Sequence, residues 1–147
     1  MPEIELCLLD SLNKRVLFLS ELMNKLGLKA EIVHGRAEDY GNKKGFRESF
    51  DISLSRAVAP MNVLVEYTLP FVKVGGYALC QKGPTIFDEL GKAQRAIEIL
   101  GGKEEEILST QVYNKELDHY IVKIRKVGLC PGKYPRKAGI VEKNPLR

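Results

Sequence analysis

The 147-residue sequence has no tryptophan, two histidines and three cysteines. Cys7, Cys80 and Cys130 are odd in number and far apart, so no Cys-x-x-Cys metal or redox spacing exists and all three read as free thiols. His34 and His119 stand apart from any cysteine or carboxylate cluster, which leaves a metal site without support. Uncharged runs such as Met61 to Val65 and Val74 to Gln81 fall far short of the roughly 20 apolar residues of a membrane helix. Glu3, Glu5, Asp10, Lys14 and Arg15 interrupt any signal-peptide core, so a cytoplasmic location is expected. Gly-x-Ser-x-Gly, His-Glu-x-x-His and Gly-x-x-x-x-Gly-Lys-Ser/Thr are missing, and hydrolase and nucleoside-triphosphatase readings lose their usual support. Also lacking is a glycine-rich strand-to-helix turn, which in adenosine-cofactor folds brings backbone N–H groups up to the ligand.

What remains is the composition of an ordinary globular protein: 44% hydrophobic and 29% charged residues in a length suited to one core. The net charge of +4 is unevenly spread. From Lys123 onward eight basic residues face one acid, Glu142, whereas the first 122 residues hold 15 Lys and Arg against 18 Asp and Glu. Such a cationic end suits a polyanion, because each phosphate contacted releases counterions. A solvated terminus accounts for the charge equally well.

Hydrophobic periodicity divides the chain into alternating elements. Ile4 to Leu9 reads as a buried strand ending at Asp10, with Ser11 as N-cap of a helix striped by Leu12, Val16, Leu19, Met23 and Leu26 and stopped by Gly27. A second strand, Ala30 to His34, turns at Gly35 into a loop or short helix at Ala37 to Asp39. Asn42 to Glu48 reads as a surface loop. A third strand, Phe50 to Leu54, precedes a helix from Pro60 to Leu69, and Val74-Gly75-Gly76-Tyr77 predicts a break before a fourth strand, Tyr77 to Gln81. Lys82-Gly83-Pro84 reads as a loop. Leu90, Ala93, Ile97 and Leu100 then mark one face of a helix over 88–100. Glu106 to Val112 and His119 to Arg125 predict a closing antiparallel pair. From Gly128, with Pro131, Gly132, Pro135, Gly139 and Pro145 following, the sequence predicts a mostly extended basic tail, giving a body of 1–127 and a tail of 128–147.

This order predicts an α/β doubly wound sheet, mostly parallel, with helices on both faces and ligands beyond the carboxyl ends of its strands. Asp10, His34 to Glu38, Ser55 to Ala57 and Gln81 to Gly83 all fall there. An acid at the end of the first strand can accept hydrogen bonds from two ribose hydroxyls, and it can equally cap the helix that follows. Glu38 suits an adenine edge or open water. His34 suits a half-buried strand end.

Five ordered motifs carry a more specific likeness: Leu9-Asp10-Ser11-Leu12-Asn13-Lys14-Arg15, His34-Gly35-Arg36-Ala37-Glu38, Ser55-Arg56-Ala57-Val58-Ala59-Pro60, Lys82-Gly83, and Lys133-Tyr134-Pro135-Arg136-Lys137-Ala138-Gly139. Together they resemble the glucose-inhibited division protein B family. The resemblance implies a Rossmann-like class I methyltransferase sheet and S-adenosyl-L-methionine as cofactor. It further implies methyl transfer to N7 of a guanine in the 530 loop of 16S ribosomal RNA, alone or within the small subunit. Position by position, it puts Asp10, Ser11 and Leu12 beside the cofactor's ribose, Ala37 and Glu38 beside its adenine and Arg56 at the cofactor pocket. It makes Lys82, Tyr134, Arg136 and Lys137 RNA contacts. By the family's pattern the chain corresponds to a carboxyl-terminal portion, without the preceding helical segment and glycine-rich loop.

Guanine N7 already carries an in-plane lone pair, so attack on a sulfonium methyl needs no proton removed, and the lack of a catalytic Cys, His or Asp set is compatible with that reaction. Ser55-Arg56-Ala57 stands where methyltransferases acting on exocyclic amines carry Asn/Asp-Pro-Pro-aromatic, which argues against amine methylation. Arg56 suits cofactor or RNA through its guanidinium fork, and Tyr134 beside two cations suits an unpaired base next to phosphate. Two other readings share these features: a noncatalytic RNA-binding module using the tail, and a nucleotide-dependent oxidoreductase, favoured by Asp10 and disfavoured by the absent phosphate loop.

Overall fold

The computed structural model describes residues 4–56, 58–111 and 118–147. Its order is β1 (Cys7–Asp10), α1 (Asn13–Leu26), β2 (Glu31–His34), α2 (Ala37–Tyr40), β3 (Phe50–Arg56), α3 (Met61–Thr68), a 3-10 turn (Leu69–Phe71), β4 (Val72–Lys82), α4 (Ile86–Ile99), β5 (Gly102–Gln111), β6 (Asp118–Lys126) and α5 (Ile140–Lys143). The α/β alternation and the antiparallel closing pair are as the sequence predicts. Among the described residues, however, the strands form two sheets: β1 with β2, parallel, and β3-β4-β6-β5 with β3 parallel to β4. The inner edges of β1 and β3 carry no partner strand among these residues.

The core is one-sided. Met61, Leu64 and Val65 of α3 and Leu90, Ala93 and Ile97 of α4 bury against Ala78 and Cys80 of β4 and Val122 and Ile124 of β6. Because strand side chains alternate faces, Leu54, Leu79 and Ile121 lie on the opposite face, where Leu54 is 74% exposed. Helices α3 and α4 share one face of this sheet. Helix α1 has the predicted apolar stripe yet buries none of its residues.

Local chemistry explains the other departures. Ser11 does not cap α1; the helix starts one residue later, and Asp10 Oδ1 accepts the Leu12 N–H at 2.8 Å instead. Gly27 ends α1 in the left-handed region at φ 64°, with its N–H and that of Leu28 closing back on Asn24 and Met23. Gly75-Gly76 does not break the chain. Gly75, at φ 92°, makes an irregularity within β4, and a Cβ on Gly76 would collide with the Asp51 carbonyl of the adjacent strand.

The segment from Gly128 is not an extended arm. It folds back so that Cys130, Tyr134 and Val141 are buried, with a cis Tyr134–Pro135 bond and one turn of helix at Ile140–Lys143. Arg47, from the presumed surface loop, donates to the carbonyls of Cys130, Pro131 and Tyr134 at 2.6, 3.3 and 2.7 Å. Glu48 Oε1 accepts from the Cys130 N–H at 2.7 Å and from Lys126 Nζ at 3.2 Å. Lys126 is fully buried and also donates to the Leu69 carbonyl. Burial pushes its ammonium below the ordinary value, against the pull of Glu48.

Candidate functional site

Parallel pairing sets Asp10 opposite His34, so the carboxyl ends of β1 and β2 form one rim. The Gly35 N–H donates to the Asp10 carbonyl at 3.0 Å, and His34 Nε2 lies 3.1 Å from the Ser11 carbonyl. Asp10 thus meets the Gly35 to Glu38 turn as the sequence predicts. Its Oδ2 lies 3.5 Å from Arg15, and two acceptor oxygens leave lone pairs for a further donor. Gly35 has a steric role: a Cβ there would run into the Tyr40 ring, so only glycine lets α2 turn back this tightly.

Glu38 is 6% exposed as a residue, the one buried position of α2, and its carboxylate oxygens are not among the buried polar atoms left without a partner. Near it, burial and then the charges of Glu38 and Glu142 push the Tyr67 phenol upward, keeping it a donor to Glu142 Oε1 at 3.3 Å.

Arg56 ends β3 in the other sheet, paired in register with Gln81. With Leu54, Ser55, Leu79, Gln81 and Ile121 it lines a cavity of about 340 Å³. Among the described residues no hydrogen bond joins Arg56 to the Asp10 rim. The Ser55 hydroxyl is buried on the other face of β3, beside Cys80.

The structure redistributes the predicted RNA contacts. Lys82 turns inward to the Ala59 carbonyl at 2.8 Å and the Glu89 carboxylate at 2.6 Å. Tyr134 is buried, with Lys133 and Arg136 over its ring at 5.2 and 5.9 Å, so its faces are taken. Arg136 spends its fork on Glu66: Nε to Oε1 at 2.9 Å and Nη2 to Oε2 at 2.7 Å, while its own N–H reaches Oε1 at 2.8 Å and Nη1 the Asn144 carbonyl. Lys82 and Arg136 each find a carbonyl and a carboxylate within the fold, and Tyr134 is packed inside it. Lys137 alone of the four is exposed.

Sequence reasoning missed the partners Glu66, Glu89, Arg47 and Glu48. Glu66 had a readable signal, a lone acid in the apolar run MNVLVEYT of α3. Burial pushes the Cys80 and Cys130 thiols upward, so neither is a ready thiolate. Among the described residues no three His, Cys, Asp or Glu side chains gather into a metal-ligand group, and no helix is long and apolar enough to cross a membrane.

Parallel strands alternating with helices and closed by an antiparallel pair are the fold of solved methyltransferases. It is shared with a solved rRNA methylase from Streptococcus thermophilus, at 16% identity and TM-score 0.58 over 84% of this chain and 74% of that one. It is shared equally with a SAM-dependent methyltransferase from Methanosarcina mazei, at 9% identity and TM-score 0.60 over 82% and 81%. The family model described as GidB, rRNA small subunit methyltransferase G, matches residues 1–117, and the chain belongs to that family. Relatives named ribosomal RNA small subunit methyltransferase G from Alkaliphilus oremlandii and Clostridium tetani are 53% and 50% identical to it. The matches take in 100% and 99% of this chain but 62% and 61% of those proteins, so the chain spans about three fifths of their length.

Proposed function

We infer that the chain is the part of an S-adenosylmethionine-dependent ribosomal RNA methyltransferase that borders the nucleoside of the methyl donor, with N7 of a guanine in the 530 loop of 16S RNA as acceptor. The observation that carries the reading is the rim: the Asp10 carboxylate, fixed by the Leu12 N–H, at the paired ends of β1 and β2 from which the Gly35 turn leads into α2 and Glu38. Asp10 would hold the ribose diol, flanked by Ser11 and exposed Leu12. Glu38 would accept from the adenine amine, with Ala37 against the ring. Arg56 would orient cofactor or RNA from the neighbouring strand end. Bound S-adenosylmethionine supplies an electrophilic methyl group on a sulfonium.

The protein's own share is positioning. Guanine N7 presents a lone pair in the base plane, so no side chain has to remove a proton, and holding the two reactants in line can contribute about 7–11 kcal/mol. The absence of an activated thiol at Cys80 and Cys130 accords with that division of labour.

Calorimetric titration of S-adenosylmethionine tests the reading. The chain should bind more weakly than the full-length Alkaliphilus oremlandii relative, and Asp10→Ala should weaken it at least tenfold further, since charge-assisted hydrogen bonds are worth about 1.5–3 kcal/mol. Equal affinity in the chain and its Asp10→Ala variant would remove Asp10, and the rim with it, from the cofactor site.

A further inference from the structure

Three cations gather at one cavity of the fold. Lys92 and Arg95 stand one turn apart on α4, and Arg147 closes over them from the end of the folded-back segment. With Asn62 and Gly91 they line a cavity of about 500 Å³ between α3, α4 and the last residues. All three are exposed, and none has a carboxylate within ion-pair distance among the described residues, in contrast to Lys82, Lys126 and Arg136. Gly91 leaves the cavity open, because a Cβ there would meet nothing within 4 Å.

The position is as informative as the charge. Asn62 is the second residue of α3, just after the loop that follows β3, and its side chain donates to the Leu146 carbonyl at 3.4 Å. The preceding N–H, of Met61, is held by Glu89, the same residue that anchors Lys82 at the end of β4. Glu89 lies one helical turn before Lys92. The cavity therefore lies between the first turn of α3, which follows the carboxyl end of β3, and the middle of α4. Like charges gathered on packed helices repel one another, and an anionic ligand reverses that cost.

We propose that the Lys92–Arg95–Arg147 cavity is a phosphate-backbone subsite for RNA, gripping the strand beyond the nucleotide presented at the rim. The proposal rests on the ribosomal RNA reading above. It replaces the inward-facing Lys82, Tyr134 and Arg136 as the source of RNA affinity on this side of the molecule.

The test measures anisotropy of a labelled single-stranded RNA across a salt series, with the chain, Lys92→Ala/Arg95→Ala and Gly91→Glu. The double variant should flatten the slope of log K against log[salt] by about 1.4, two contacts at about 0.7 each. Gly91→Glu, which adds an acid without touching a cation, should weaken binding at low salt while leaving the thermal midpoint unchanged. An unchanged slope in the double variant overturns the subsite while leaving the ribosomal RNA reading intact. A wild-type chain with no salt-dependent RNA binding overturns both. Saturable binding of inorganic phosphate that leaves the RNA slope untouched would make the cavity a small-anion site and overturn the RNA assignment.

Discussion

Replacing Arg136 with alanine strands a carboxylate. The Glu66 side chain has no solvent exposure, and three of the four hydrogen bonds it accepts come from the Arg136 guanidinium. Without that fork only the Arg136 backbone N–H remains, and an ion with no water and one donor is a severe defect. Breaking one side of a buried pair costs about 3–5 kcal/mol. Against a typical total of about 5–15 kcal/mol, that is a large fraction of the stability. With a urea m-value of about 2 kcal/mol/M, the midpoint should fall by about 1.5–2.5 M, read by far-UV circular dichroism. The double variant Glu66→Leu/Arg136→Met, which removes both charges and keeps the volume, should recover most of the loss. An Arg136→Ala variant that loses less than about 1 kcal/mol would refute the reasoning. If such a variant also bound RNA more weakly, Arg136 would return as an RNA contact.

Acid should act through Glu89. Burial pushes its carboxyl up, but hydrogen bonds from Lys82, the Met61 N–H and Thr85, with the charge of Lys82, outweigh burial and hold it below its ordinary value of 4.5. Below pH 4.5 the unfolded chain therefore binds the proton more readily, so stability present above that pH is lost as pH falls through the lowered folded value. Glu89→Gln should flatten this part of a urea-midpoint profile against pH, and an unaltered profile would show that other groups carry it. Leucines on the two sheet faces should also separate. Leu64→Ala, 1% exposed, should cost about 2–5 kcal/mol, and Leu54→Ala, 74% exposed, less than about 0.5 kcal/mol in the same melts. Similar losses at both positions would contradict a one-sided core.

The element order was legible because hydrophobic period reports which face of a segment is apolar. It does not report what covers that face, which is why α1 shows its stripe in sequence and buries nothing. Gly75-Gly76 was misread as a turn because glycine pairs serve turns and bulges alike, and only the apolar residues on both sides, Val72 and Ala78, hint at one strand. The last twenty residues misled for a different reason. Proline, glycine and lysine look like an unstructured arm until partners are known, and those partners lie 70 or more positions earlier, as in Arg136 with Glu66 and Tyr134 with Arg47. At the rim, Asp10 and the His34 to Glu38 segment were both readable as strand ends, while the roles of Ala37 and Glu38 beside an adenine came from the five-motif resemblance. Lys92 and Arg95 passed unnoticed, since a basic helix face in sequence looks like any solvated one.

Strand β3 combines two features that are harmless apart. Its outward amides find no partner strand among the described residues, and Ile52 and Leu54 stand bare along it. A second molecule aligned there would satisfy backbone and side chains in one step, and head-to-tail addition of that kind has no geometry that ends it. Protein concentration thus becomes a variable in its own right. Dilute samples report on the rim and the cationic cavity, and crowded ones report on the seam.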